Sequence, residues 1–218
     1  MKTALVFGSS GLVGGHLLKK LIQNEKYTKI KLFVRSNIEI YDPKVEIIIT
    51  DFNNLEKHIE DIKGDHCFFC IGTTKQNSLN KSEYRRVELD VPKKIGQIAK
   101  SNSVNSFIFI SSGYANPNSS GDYLKFKGLV EEELKKLNFS KLGIMRPSFL
   151  IGNRKDKRVG EKIGIFLFKI LSPLFLGPLK KMKPIHSEKV AKAMIKISNG
   201  NFNQNVFESN EIVEISNS

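Results

Sequence analysis

No Pro/Gly/Ser-rich linker divides the 218 residues, and no internal repeat or low-complexity tract runs through them. One domain with one substantial core is therefore expected over residues 1–218. There is no unbroken apolar run of the ~20 residues that a membrane-spanning helix needs. The most apolar segment, Ile163 to Gly177, is interrupted by Lys169 and Pro173. The opening MKTALVF breaks at Gly8, too short for the apolar part of a secretory signal, so a cytoplasmic location is the expectation. Histidines number four and lie scattered without metal-ligand spacing, which argues against a metal site. Two cysteines, Cys67 and Cys70, form a C-x-x-C, but inside a short apolar run that reads as a strand. Positions three apart on a strand point to opposite faces, which argues against a redox pair. Acidic residues are the minority: 35 Lys+Arg against 22 Asp+Glu give a formal net charge of +13. That charge favours anionic ligands and surfaces. The lysines are spread along the chain instead of clustering with aromatics, so no nucleic-acid partner is expected.

What is present has the balance of a globular protein, with 40% apolar and 26% charged residues. TALVF, KIKLFV (Lys29 to Val34), VEIII (Val45 to Ile49), HCFFCI (His66 to Ile71), SFIFIS (Ser106 to Ser111) and KLGIM (Lys141 to Met145) read as strands buried on both faces. Helical patterns lie between most of them: Val13 to Asn24, Leu55 to Ile62, Ser82 to Ser101 and Gly121 to Leu137. This alternation predicts an α/β fold with a doubly wound parallel sheet, Rossmann-like. Past Met145 the rhythm changes to a Pro147 turn, a basic loop (Asn153 to Arg158), the Phe-rich segment and a final helix around Ser187 to Ser198. Residues 1–152 read as a cofactor-binding core. Residues 153–218 read as a small substrate-side region, a lid and a C-terminal helix at the sheet's carboxyl end.

GSSGLVGG bridges the first strand and the first helix, with Gly8, Gly11 and Gly14 spaced G-x-x-G-x-x-G. A dinucleotide demands this: a tight turn at Gly8, backbone close enough at Gly11 to meet a pyrophosphate, and close helix packing at Gly14. Ser10, Leu12 and Val13 complete the predicted cofactor loop. At the end of the second strand FVRS offers Arg35 and Ser36 and no carboxylate for a ribose 2′-hydroxyl. A guanidinium can grip a 2′-phosphate, so NADP (NADPH) is favoured over NAD. Asp51 and Phe52 after the third strand fall at the adenine end of such a site. Cys70, Ile71, Gly72 and Thr73 after the fourth fall beside the cofactor's ribose.

In GDYLKFKG, Tyr123 and Lys127 are four residues apart within a helical pattern, hence on one face. A phenol with pKa ~10 is a poor acid–base catalyst near neutrality, but a nearby ammonium favours the phenolate. Ser111 and Ser112 end the strand just before, and a serine hydroxyl there can polarise a carbonyl.

GSSGLVGG, the serine pair and Y-L-K-F-K together resemble the short-chain dehydrogenase/reductase superfamily, specifically its atypical NADP-binding members. FVRS, the DF pair, CIGTTK (Cys70 to Lys75), SSGYANPNSSGDYLKFKGLVEEEL and MRPSFLIG are most similar to the Tat-interacting-protein-like oxidoreductases. The similarity runs from the first strand to about Gly152. The resemblance implies Ser112 as the substrate-polarising serine, with Ser111 as second choice. It implies Tyr123 as general acid or base, and Lys127 as its partner and ribose ligand. Pro147 to Leu150 would line the nicotinamide pocket. The group's usual Asn or Asp in the fourth helix has no clean counterpart, VELD offering Glu88 and Asp90.

The Phe-rich segment is edged by Lys162, Lys169, Lys180, Lys181 and Lys183. A basic apolar helix can lie in an anionic membrane interface. Here the pattern is apolar nearly all round from Ile163 to Leu171, which favours burial against protein as a pocket cover or subunit contact. The expected protein is an NADP-dependent oxidoreductase, monomeric or homodimeric, transferring hydride between nicotinamide and a carbonyl or alcohol of an apolar small-molecule substrate. The alternative is an NADP-binding regulatory or interaction protein with little or no turnover.

Overall fold

The computed structural model describes residues 1–73, 78, 80–152 and 183–218. Thr74 and Lys75, the basic loop Asn153 to Arg158 and the Phe-rich segment Ile163 to Gly177 lie outside the described residues. The strands are β1 (Lys2–Phe7), β2 (Tyr27–Val34), β3 (Val45–Ile49), β4 (His66–Phe69), β5 (Ser106–Ile110), β6 (Lys141–Arg146), β7 (Leu150–Ile151), β8 (Ile185–His186) and β9 (Val206–Glu208). The α-helices are α1 (Leu12–Gln23), α2 (Lys81–Arg85), α3 (Val91–Ser101), α4 (Asp122–Lys136), α5 (Ser187–Asn199) and α6 (Ser209–Asn217).

Seven strands form one parallel sheet in the order β3-β2-β1-β4-β5-β6-β9, while β7 and β8 pair separately. Each central strand is apolar on both faces, so alternate residues feed two cores. Leu5, Phe7, Phe33, Phe69, Phe107 and Phe109 meet α3 and α4 on one face; Ala4, Val6, Leu32, Phe68, Ile108 and Met145 meet α1 and α5 on the other. The register places Phe33, Phe7, Phe69 and Phe109 side by side across β2, β1, β4 and β5. Phe7 stacks on Phe33 at 4.3 Å and lies 5.9 Å from Phe69, which is 5.9 Å from Phe109. This aromatic row runs under the carboxyl ends of the strands, where the order reverses between β1 and β4 and a crevice for ligand opens.

The helix expected over Leu55 to Ile62 is a single 3₁₀ turn, Leu55–His58, because only Leu55 and Ile62 are buried there and the rest faces water. The C-terminal helix expected on the substrate side packs as α5 against α1, and the three-residue β9 extends the main sheet beside β6. Residues 185–217 thus add a helix layer and an edge strand to the main sheet. The last residues form α6, capped reciprocally by the side chains of Glu208 and Glu211.

Candidate functional site

The β1–α1 turn fits a pyrophosphate. Gly8 has φ +88°, a conformation that L side chains rarely adopt, and a Cβ there would lie 2.8 Å from the Cys70 carbonyl carbon and the Ile71 nitrogen. The loops after β1 and β4 therefore touch at the switch point, tied by Cys70 N–H donating to the Phe7 carbonyl at 2.8 Å. A Cβ on Gly14 would collide with the Gly8 carbonyl, so only glycine lets α1 start this close to the loop. Gly11 caps α1 without any side-chain hydrogen bond, which leaves the first N–H groups of the helix for a ligand. Ser10 and Gly11 are exposed, Leu12 is half-buried and Val13 packs into the core. Ser9, which sequence reasoning passed over, is 5% exposed, and its Oγ has no hydrogen-bond partner among the described residues. A buried unpaired hydroxyl within a predicted phosphate loop is a second mark of a polar ligand site.

At the other end of the crevice Arg35 and Ser36 are exposed at the tip of β2. Asp51 accepts from the backbone and side chain of Asn53, which hold its carboxyl below the usual range. Phe52 takes a left-handed backbone, φ 62°, and its carbonyl accepts from Arg86, whose guanidinium also pairs with both oxygens of Glu83. Arg86 thereby pins the loop after β3.

The third group lies along α4. Lys127 is 3% exposed, donates to the Ile110 carbonyl at 3.2 Å and stands 4.9 Å from the Phe109 ring and 5.9 Å from the Tyr123 ring. Tyr123 is 39% exposed, so the pair joins a sheltered cation to a solvent-accessible phenol. Glu88, 1% exposed, sends Oε2 to within 3.0 Å of the Lys127 ammonium while its Oε1 accepts from Thr73 N–H at 2.5 Å. Burial opposes the ammonium, but Glu88, ionised Tyr123 and Glu131 outweigh it, and the pKa of Lys127 lies above the ordinary lysine value. Asp90, the other acid in VELD, is exposed beside Arg85.

The two serines after β5 differ in what they touch. Ser111 Oγ donates to Glu131 at 2.5 Å, and Glu131 is gripped by Arg146 at 2.9 and 2.5 Å. Arg146 continues to Glu208 and the Ala115 carbonyl, both at 3.3 Å. Ser112 is half-buried, and among the described residues its Oγ donates only to the adjoining Gly113 carbonyl, at 3.2 Å. Ser111 is thus committed to the scaffold, and Ser112 is the serine with spare hydrogen-bonding capacity. Pro147 is buried and accepts from Gly113 N–H at 2.9 Å. Glu131 extends the Tyr123–Lys127 stripe by one more i+4 step, the signal that could have found it. Its partner Arg146 is a tertiary contact with no local trace in sequence. Cys67 packs in one core and Cys70 against the other; burial pushes the Cys70 thiol up to about 12.

An open parallel sheet with a glycine turn at its switch point defines a Rossmann-like α/β fold. Residues 4–207 match the NAD dependent epimerase/dehydratase family, and the chain belongs to that family. It is 27% identical over 194 residues to Protein FMP52, mitochondrial, of Candida glabrata, covering 88% of this chain and 83% of that protein. It is 32% identical over 165 residues to Protein HTATIP2 of Rattus norvegicus, covering 73% of this chain and 67% of that one. Among solved structures, the Bordetella bronchiseptica enzyme WbmH in complex with NAD+ superposes with a TM-score of 0.71 at 16% identity, over 95% of this chain and 74% of that one. Vestitone reductase from alfalfa superposes with a TM-score of 0.65 at 16% identity, over 95% and 76%. At such identities these likenesses establish the fold. The expected cytoplasmic location does not stand, because the FMP52 relatives from several yeasts are named mitochondrial. Among the described residues no helix is long and apolar enough to cross a membrane.

Proposed function

We propose that the chain is an NADP-dependent oxidoreductase of the short-chain type, acting on a carbonyl or alcohol of an apolar substrate. The observation that carries this reading is the pairing of the buried Lys127 ammonium with the accessible Tyr123 phenol on the first turns of α4, next to a glycine loop suited to a diphosphate. When bound, the nicotinamide would supply or accept hydride. The chain's own residues do the rest. Ser112 Oγ orients the substrate oxygen by hydrogen bonding. Tyr123 Oη delivers or takes up the proton, and Lys127 supplies the positive field that favours the phenolate. The preference for NADP rests on Arg35 and Ser36 standing exposed at the end of β2. Tyr114, 62% exposed, and Phe149, 59% exposed, flank Ser112 and Pro147 in sequence and offer an apolar surface, which supports an apolar substrate.

The test is a pair of variants assayed with NADPH and a panel of apolar aldehydes and ketones. Tyr123→Phe is expected to lower the reduction rate at least about 100-fold, the scale of a lost general acid, with nucleotide affinity nearly unchanged. Arg35→Glu is expected to reverse the NADPH over NADH preference. A wild-type chain that binds NADPH tightly and reduces nothing on the panel supports instead a nucleotide-binding regulator.

A further inference from the structure

Helix α2 does not pass smoothly into α3. Arg86–Asp90 between them form a π-helical turn, a feature that is rare and found frequently at functional sites. Inside that turn Glu88 is buried and so bears the cost of removing a carboxylate from water. A buried ion pair is poor value as a stabiliser, since apolar residues of similar volume often do as well. The contacts suggest positioning instead: one oxygen on the Lys127 ammonium, the other on the backbone N–H of Thr73, which follows β4 at the crevice.

We propose that Glu88 is a positioning residue, a fixed counter-ion that keeps Lys127 charged beside Tyr123 and latches the β4 loop to the helix through Thr73. Its catalytic meaning rests on the nucleotide reading above, whereas the ion pair belongs to the free chain. Among the described residues the charged and titratable groups around it are few. Tyr123 and Glu131 face Lys127 from its own helix, and Cys70 faces it from the end of β4. Tyr84 of α2, with Asp122 nearby, faces Glu88 and Tyr123. Glu131 is already committed to Arg146 and Ser111. Removing the charge of Glu88 thus leaves Lys127 buried without a dedicated counter-ion, and burial then drives the ammonium to release its proton.

The first measurement is a ¹⁵N NMR titration of the lysine side chains in the full nucleotide-free chain, with the Lys127 signal identified by its loss in Lys127→Arg. Wild-type Lys127 is expected to stay protonated beyond the ordinary lysine range, near pH 10. In Glu88→Gln it is expected to titrate at least about one pH unit lower, and in Glu88→Asp close to wild type. A wild-type Lys127 that titrates below the ordinary range overturns the proposal, as does a Glu88→Gln curve superimposable on wild type. If Glu88→Gln does not fold, the wild-type and Glu88→Asp titrations decide. The second measurement is NADPH affinity by fluorescence at pH 7 and 10. Wild type is expected to change little, and Glu88→Gln to lose at least about threefold at the higher pH, where a lysine that titrates one pH unit below the ordinary value has mostly released its proton. Equal pH dependence in the two chains overturns the proposal. A wild-type chain that binds no NADPH overturns the nucleotide reading alone, and the lysine titration still decides the role of Glu88.

Discussion

Gly14→Ala and Gly15→Ala are adjacent, chemically identical changes in α1 with opposite expected outcomes. Helix propensity alone stabilises either alanine by up to about 1 kcal/mol. At Gly15 the new methyl meets only the Ser9 carbonyl at 3.5 Å, an ordinary contact, so most of that gain should be realised. At Gly14 the methyl runs into the Gly8 carbonyl and comes within 2.8 Å of the Gly8 carbonyl carbon and 3.1 Å of Ser9 Cα, all of it backbone. Nothing there can rotate away, so α1 or the loop must move. Overpacking of this kind costs about 1–3 kcal/mol and more where the obstacle is rigid. Net destabilisation of roughly 2 kcal/mol is expected, lowering the Tm of a chain this size by about 4–8 °C. Because the displaced atoms form the predicted phosphate loop, NADPH affinity should also fall at least about tenfold in Gly14→Ala and stay unchanged in Gly15→Ala. Urea denaturation and calorimetric titration of the two variants read both quantities. A Gly14→Ala chain as stable as Gly15→Ala, with wild-type affinity, refutes the close approach of helix and loop.

Glu131→Gln should destabilise the chain by roughly 3–5 kcal/mol, since it breaks a buried pair and leaves the Arg146 charge short of its main partner. Urea midpoints measure this, and a loss below about 1 kcal/mol would show the network to be dispensable. His66 is 1% exposed; burial, followed by the nearby charges of Lys2 and Lys141, lowers its pKa from 6.5 to about 4. The folded pKa is the lower one, so this contribution is complete above pH 6.5 and is lost as pH falls toward 4. The slope is about 1.4 kcal/mol per pH unit, roughly 3 kcal/mol across the window. Stability measured against pH in wild type and His66→Gln checks this, the variant losing that slope; parallel curves would contradict it.

The six strands that carry the crevice were legible because each is a short run rich in apolar β-formers with a glycine or polar break at its end, although VEIII, expected to be buried on both faces, is the edge strand β3 and buries only Ile48. VFE at β9 was not legible: three residues after the polar NFNQN make no periodicity, and only pairing with β6 makes them a strand. Leu55 to Ile62 was over-read because its apolar spacing imitates a helix, whereas the chain has too little to bury there for more than one 3₁₀ turn. In the site, Gly8, Gly11 and Gly14 were visible as spacing, and Tyr123 with Lys127 as an i,i+4 pair. Glu88 stayed ambiguous with Asp90 because helical phase alone does not choose between them; the π-helical turn, a tertiary outcome, buries the first and exposes the second. The division of labour between Ser111 and Ser112 likewise depends on Glu131 reaching across from α4.

The most direct test of the whole account is a calorimetric titration of the purified chain with NADPH and, separately, NADH. Saturable one-to-one binding, tighter for NADPH and abolished by a bulky residue at Gly8, is the expected result. No heat and no saturation with either nucleotide would contradict the central claim that the glycine turn after β1 holds a diphosphate.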